Sequence, residues 1–205
     1  GRYTYYPGTP PQCWYYRQYG KYHGLINVSE AIEVSCNYFF YDVGRRLGID
    51  LLVDYATRFG LGQKTGIELG GEASSIWWSK DVFCDPMNYS QLAAASFGQT
   101  FNITPIQLIT TAASIVNGGN RVTPHFGVAA VSTDQTSVRA SKYPSKGRIL
   151  SEETSATMRY VLEQVVSEGS GKKAKLEGYK IGGKTATSEK LPRSLKKYIS
   201  SFIGF

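Results

Sequence analysis

Cysteine, methionine and histidine are scarce: three, two and two residues respectively in a chain of 205. The cysteines, Cys13, Cys36 and Cys84, make neither a Cys-x-x-Cys pair nor a metal-ligand spacing, and their odd number leaves at least one unpaired unless a second chain contributes. Metal binding is not expected, and a Cys13–Cys84 disulfide stays open. Long apolar runs are also missing. No stretch is long enough to cross a bilayer, and no basic start with an apolar middle marks a signal peptide. The chain is expected to be either cytoplasmic or a piece of something anchored elsewhere. The net charge of +7 favours anionic surfaces. However, the basic residues are dispersed, with only Lys172-Lys173-Ala174-Lys175 and Lys196-Lys197 as short clusters. Solvated faces are expected rather than a nucleic-acid site.

The length and the ordinary apolar and charged fractions fit one folded domain. Residues 1–24 are aromatic and carry Pro7, Pro10 and Pro11, which oppose helix, so the segment is read as irregular with His23 as a loop hydrogen-bonder. Asn27 with Glu30 three residues on is a capping box for a helix that Ser35-Cys36-Asn37 interrupts. Tyr38-Phe39-Phe40-Tyr41 starts a second helical stretch ending near Gly48, its aromatics read as core and wall. A third runs from about Asp50 to Phe59 and stops at Gly60-Leu61-Gly62. Thr65 to Met87 reads as an irregular excursion, and Asn88 to Ala95 as a short capped helix. Thr104-Pro105-Ile106-Gln107 is a strong helix start, and the helix to Val116 is apolar nearly all round, which predicts burial. Short extended segments follow around 121–132 and Val138. Ser151 then caps a helix striped by Met158, Val161, Leu162 and Val165, and Gly169 closes it.

The chemistry concentrates in Ile181-Gly182-Gly183-Lys184-Thr185-Ala186-Thr187-Ser188-Glu189-Lys190, joined by a loop containing Pro192 to the alternating run Lys196–Phe205. The pattern predicts a hairpin. Lysine followed by small hydroxyl residues on a strand edge can set an ammonium, hydroxyls and a backbone N–H beside one pocket. Such a pocket suits a substrate with a carboxylate and a reacting carbonyl.

The order Ser35-x-Asn37, then Ser96-Phe97-Gly98-Gln99 with Thr104-Pro105-Ile106-Gln107-Leu108, then Lys184-Thr185-Ala186-Thr187 resembles the transpeptidase domain of penicillin-binding proteins, the high-molecular-weight class B type above all. The resemblance implies an α+β fold, in which an antiparallel sheet with packed helices adjoins an all-helical subregion. It would be a single domain fragment over 1–205, helical over about 25–120 and helix plus sheet over about 121–205. It implies a peptidoglycan D,D-transpeptidase that cross-links stem peptides through a serine acyl-enzyme and binds beta-lactams, without a cofactor. Ser35 would relay protons, Asn37 would donate to the substrate amide and Lys184 would supply positive charge. Thr185 and Thr187 would bind the substrate carboxylate, with the Thr187 N–H an oxyanion donor.

Two departures stand out. Ala186 occupies the position where the family usually has glycine, adding a methyl where substrate backbone approaches. In addition, no Ser-x-x-Lys precedes Ser35, where the family has its nucleophile. Ser170-Gly171-Lys172-Lys173 and Ser194-Leu195-Lys196-Lys197 lie on the wrong side of the order and are read as coincidences. The chain is therefore expected to be a fragment, cut at both ends and inactive alone, of a larger enzyme. Its parent would be anchored by an N-terminal segment at the outer face of the bacterial membrane, with other cell-wall synthesis proteins as partners. A non-catalytic beta-lactam sensor or scaffold of the same fold is the alternative. A serine beta-lactamase would also need a deacylating water, for which no residue is evident. The exit Thr187-Ser188-Glu189-Lys190 resembles sporulation-associated members, while elongation, division and spore wall all remain open.

Overall fold

Helix-starting and helix-stopping residues decide most of the elements. The computed structural model describes residues 1–5, 10–88 and 90–205, so Pro7, one of the prolines read as opposing helix, lies outside the described residues. The helices are α1 (Trp14–Tyr19), α2 (Val28–Glu33), α3 (Asn37–Phe59), α4 (Lys80–Cys84), α5 (Gln91–Ser96), α6 (Pro105–Val116) and α7 (Glu152–Ser167). The strands are β1 (Ala129–Val131), β2 (Val138–Ala140), β3 (Gly183–Glu189) and β4 (Tyr198–Gly204), paired as two antiparallel hairpins, β1–β2 and β3–β4. The fold is α+β. The chain forms two compact units, one of residues 1–53, 78–101 and 157–205 and the other of residues 54–77 and 102–156.

In the first unit, the Asn27 side chain accepts from the Glu30 N–H at 3.1 Å while the Glu30 carboxylate accepts from the Asn27 N–H at 2.8 Å, completing the capping box that opens α2. Helix α3 changes course at Gly48, whose φ of +78° is not helical, so its two stretches match the two read from sequence. Tyr3, Tyr41 and Ala93 form one buried cluster with Phe97 packed against it. Tyr41 and Phe97 meet edge to face at 5.4 Å. Tyr3 also donates to Asp42 at 2.8 Å and accepts from Arg45 at 2.8 Å, which holds the first residues against α3. Burial alone would raise the Asp42 carboxyl, but the donors Tyr3, Arg45 and Arg46 outweigh it and hold Asp42 below the usual carboxylate range. From α7, Val161, Val165 and Val166 are buried.

Three expectations for this unit need correction. Residues 1–24 are not wholly irregular, because beyond the prolines Trp14–Tyr19 contains no breaker and forms α1, which Gly20 ends at φ +66°. The excursion before Met87 contains the short helix α4. The next helix starts at Gln91 rather than Asn88, which sits in a 3-10 turn, and Ser90 at its N-cap makes no side-chain cap bond.

In the second unit, Thr104 caps α6 by accepting from the Gln107 N–H at 3.3 Å, with Pro105 in the first turn. The expectation of an all-round apolar, buried α6 fails. The buried residues are Gln107, Thr110 and Ser114, while Leu108 and Ile109 are 46% and 58% exposed. The stripe's hydroxyls and the Gln107 amide N–H groups find acceptors, although the Gln107 Oε1 is buried without a partner among the described residues. Thr110 Oγ1 donates to the Ile106 carbonyl at 2.7 Å, Ser114 Oγ to Thr110 at 2.8 Å, and the Gln107 amide to Phe59 and Thr111 at 3.3 Å each. The loop after Thr65 is irregular but tied down. Glu72 accepts from the Thr65 N–H and hydroxyl at 2.6 and 2.7 Å, and Glu68 accepts from the Phe126 and Gly127 N–H groups at 2.7 and 2.6 Å. Ser151 caps α7 through the Thr154 N–H at 3.0 Å.

Truncating Val165, fully buried, to alanine removes two methyl groups from a packed face and lowers stability by about 2 kcal/mol. Leu176→Ala, at a position 60% exposed, changes it by less than about 0.5 kcal/mol. Urea unfolding of the two variants beside the parent chain measures the contrast.

Candidate functional site

The site begins where α2 stops. Ser35 has a φ of +54°, a left-handed conformation uncommon for any residue but glycine. Its N–H donates to the Ile32 carbonyl at 3.2 Å, and the Cys36 N–H donates back to Ala31 at 2.8 Å. This pair of bonds is the Schellman helix ending, with serine in the place that glycine usually takes. Left-handed backbone costs a non-glycine residue roughly 1–2 kcal/mol. The surroundings hold it there: the Trp14 indole N–H donates to the Ser35 carbonyl at 2.9 Å and lies 3.3 Å from that of Val34. Helix α3 then starts at once with Asn37, so the turn sets Ser35 and Asn37 two positions apart at a helix entrance. Burial pushes the Tyr41 hydroxyl up to about 12, against a hydrogen bond from the Asn37 side chain that lowers it.

The second half of the site is β3. Gly182 and Phe205 exchange both backbone hydrogen bonds, at 3.1 and 2.9 Å, and Lys190 donates to Lys197 at 2.8 Å. Antiparallel pairs alternate between hydrogen-bonded and open. With Thr185 opposite Phe202 and Thr187 opposite Ser200, both threonines fall on open pairs. Their backbone N–H and C=O groups therefore point away from β4, toward the other edge of β3.

The Lys184 Nζ reaches that edge. It donates to the Thr185 carbonyl at 3.0 Å, to Ser35 Oγ at 3.1 Å, and lies 3.5 Å from Thr185 Oγ1. The ammonium is half-buried, and burial pushes its pKa below the usual lysine value. None of the ion pairs among the described residues includes it. Its neighbours are three neutral oxygens, which stabilise an ammonium less than a carboxylate would.

Of the residues singled out in the sequence, the structure thus joins Ser35, Lys184 and Thr185, and places Asn37 on the same turn as Ser35. Ala186 and Thr187 follow on β3, both exposed. Two contributors were missed. Trp14 lies in the segment read as irregular. Ser170, set aside as part of a coincidental Ser-x-x-Lys, places its hydroxyl 3.0 Å from Thr185 Oγ1 while its N–H donates to the Glu33 carbonyl at 3.1 Å. Gly169 makes this approach possible, because a Cβ there would lie 2.8 Å from the Glu33 oxygen. Lys173, the lysine of that tetrapeptide, is exposed. The visible signal for Ser170 was Gly169-Ser170-Gly171 just after α7. Cys13 does not pair with Cys84, which is exposed. It lies instead in a buried cluster with Cys36 and Ala31.

A helix-end serine held by a strand lysine matches the motif order already noted, and the whole of residues 1–205 matches the penicillin-binding protein transpeptidase domain. The chain belongs to that family. Stage V sporulation protein D of Bacillus subtilis is 38% identical over 202 residues, covering 97% of this chain and 30% of that protein. Peptidoglycan D,D-transpeptidase MrdA of Acinetobacter baumannii is 30% identical over 172 residues, covering 82% of this chain and 26% of that protein. The chain therefore spans less than a third of the length of these curated relatives. Penicillin-binding protein 3 of Mycobacterium tuberculosis, solved with aztreonam, superposes with a TM-score of 0.77 at 28% identity, covering 87% of this chain and 41% of that one.

Because the folded chain releases the Lys184 proton at lower pH than the unfolded chain does, the unfolded state binds more protons between that depressed value and the ordinary 10.5. Stability contributed by this group therefore rises with pH through that interval. Urea unfolding from pH 7 to 10.5 checks it: the difference in stability between the parent and Lys184→Met shifts in the parent's favour as pH rises, and a constant difference would contradict the assignment.

Proposed function

We propose that these residues form the relay and substrate-binding side of a peptidoglycan D,D-transpeptidase, an enzyme that cross-links stem peptides through a serine acyl-enzyme and is trapped by beta-lactams. The single observation that carries the proposal is the Lys184 Nζ–Ser35 Oγ bond of 3.1 Å. A serine hydroxyl has two lone pairs and one proton. With one lone pair taken by the Lys184 ammonium, Ser35 can pass its own proton to a leaving amine and recover one from Lys184. The depressed lysine pKa supports this role, since a relay works best when its proton leaves easily.

The backbone of β3 supports the rest. On open pairs, the Thr187 N–H faces the free edge, where it can donate to the oxygen of a tetrahedral intermediate, and the Thr185 and Thr187 hydroxyls flank the place for a substrate carboxylate. Asn37 donates to the substrate amide. Ala186, exposed between the two threonines, adds a methyl where the family usually has glycine and narrows what fits. The attacking serine is proposed to come from outside these 205 residues, in a longer protein held at the outer face of the cell membrane. There it would act on stem peptides beside other wall-synthesis proteins. The relative named as a D,D-transpeptidase and the aztreonam-bound neighbour support the transpeptidase and beta-lactam part of this reading.

A fluorescent penicillin tests the proposal at two levels. The isolated 205-residue chain stays unlabelled after denaturing electrophoresis, and covalent label on it would refute the external nucleophile. In the longer protein, Lys184→Ala slows acylation by about 10²–10³-fold, the usual cost of one preorganised donor. Ser35→Gly keeps the left-handed turn and the fold but loses the relay. Acylation at the parent rate in that variant would remove Ser35 from the mechanism.

A further inference from the structure

Between Gly169 and Gly171 stands a serine whose hydroxyl touches the strand that carries Lys184. The Gly169 N–H donates to the Gln164 carbonyl at 3.0 Å, the Gly171 N–H to that of Val165 at 2.8 Å, and the Ser170 N–H to that of Glu33 at 3.1 Å. The segment is therefore pinned to the last turn of α7 on one side and to the end of α2 on the other. Its glycines serve close packing rather than an unusual backbone. A Cβ on Gly169 would lie 2.8 Å from the Glu33 oxygen, and one on Gly171 would lie 3.1 Å from the Val165 oxygen. The Ser170 side chain is exposed, but the backbone that carries it is fixed.

Ser170 Oγ lies 3.0 Å from Thr185 Oγ1, and Lys184 Nζ faces the same oxygen at 3.5 Å. A hydroxyl carries one proton and two lone pairs, whereas an ammonium has donors only. Lys184 can thus meet Thr185 Oγ1 only as an acceptor, and its positive charge turns the hydroxyl dipole with the oxygen inward and the proton outward. When Ser170 donates as well, both lone pairs are occupied. The Thr185 proton is then the one valence left for a substrate. Donation along such a chain of hydroxyls also strengthens the last donor.

We infer that Ser170 is a positioning residue that sets the polarity of the Thr185 hydroxyl, so that the site selects a leaving group ending in a carboxylate over one ending in a carboxamide. The inference rests on the transpeptidase reading, in which Thr185 and Thr187 bind the carboxylate of the departing residue. A carboxylate presents acceptor oxygens to both threonines. A carboxamide presents one oxygen and one NH2, and the NH2 finds no free lone pair on a Thr185 that is already committed as a donor. Without the Ser170 hydroxyl, Thr185 regains a lone pair and can rotate to accept from the amide. Ser170 acts through Thr185 rather than on the reacting atoms.

The test compares two thioesters in the longer protein, benzoyl-D-alanyl-thioglycolate, whose leaving group ends in a carboxylate, and the matching thioglycolamide, with thiol release as the measurement. The parent prefers the acid form. Ser170→Ala lowers kcat/KM for the acid about three- to tenfold, the worth of one hydrogen bond, through KM with kcat held within about twofold. It changes kcat/KM for the amide by less than about twofold, so the preference narrows. Ser170→Thr, which keeps the hydroxyl, retains at least about half of the parent's preference. Equal losses on both thioesters would show a merely structural serine and overturn the inference, and so would a threonine variant as unselective as the alanine one. A parent whose acid preference survives Ser170→Ala intact would remove Ser170 alone from the mechanism. A parent inert on both thioesters would overturn the transpeptidase reading and this role with it.

Discussion

The hydrogen bond from Lys184 to Ser35 joins groups 149 positions apart, and much of the first unit is arranged so that it can form. An ammonium taken partly out of water must recover its lost hydration from nearby oxygens. Here it does so from one carbonyl and two hydroxyls. The carbonyl is available because Thr185 falls on an open pair of the hairpin, so strand register decides whether Lys184 has an acceptor at its own strand edge. A one-residue slip would turn that carbonyl toward β4 and the lysine to the other face.

The partner hydroxyl is held with equal care. Ser35 occupies a helix-end position where glycine is the easier residue, and strain of this kind persists only where the surroundings over-determine the conformation. Trp14, the two reversed hydrogen bonds of the helix ending, and the Ser170 N–H on the neighbouring Glu33 carbonyl do so from three directions. Ser170 also reaches Thr185, so one residue braces both the end of α2 and the start of β3. A serine at Ser35 is thus unfavourable for the turn and required for the contact.

The aromatic segment at the start of the chain has a structural task that its composition conceals. Tyr3 lies against Tyr41 and Asp42, Trp14 straps the Ser35 turn, and Cys13 shares a buried cluster with Cys36. In the second unit, α6 reverses the usual pattern by burying its self-satisfied hydroxyls and exposing leucine and isoleucine. In α6 the Thr110 and Ser114 hydroxyls can be inside because each donates to a carbonyl one turn back.

Local rules acting over three or four residues were legible in the sequence. Asn27 with Glu30, Thr104 with Pro105, Ser151 and the alternation after Lys196 placed their elements because caps and pleats depend on immediate neighbours. The motif order that carries the family was legible for the same reason. α1 was hidden by the prolines before it, the inverted face of α6 by its apolar composition, and Ser170 by its place after Ser35 and Asn37 in the chain. By itself the sequence determined where the capped helices α2, α6 and α7 begin, that β3 and β4 form a hairpin, and which short motifs they bear. Only the tertiary structure decided that Ser35 meets Lys184, that Trp14 and Ser170 brace them, and that Cys13 and Cys36 are buried together. These contacts depend on packing between segments that no local preference relates.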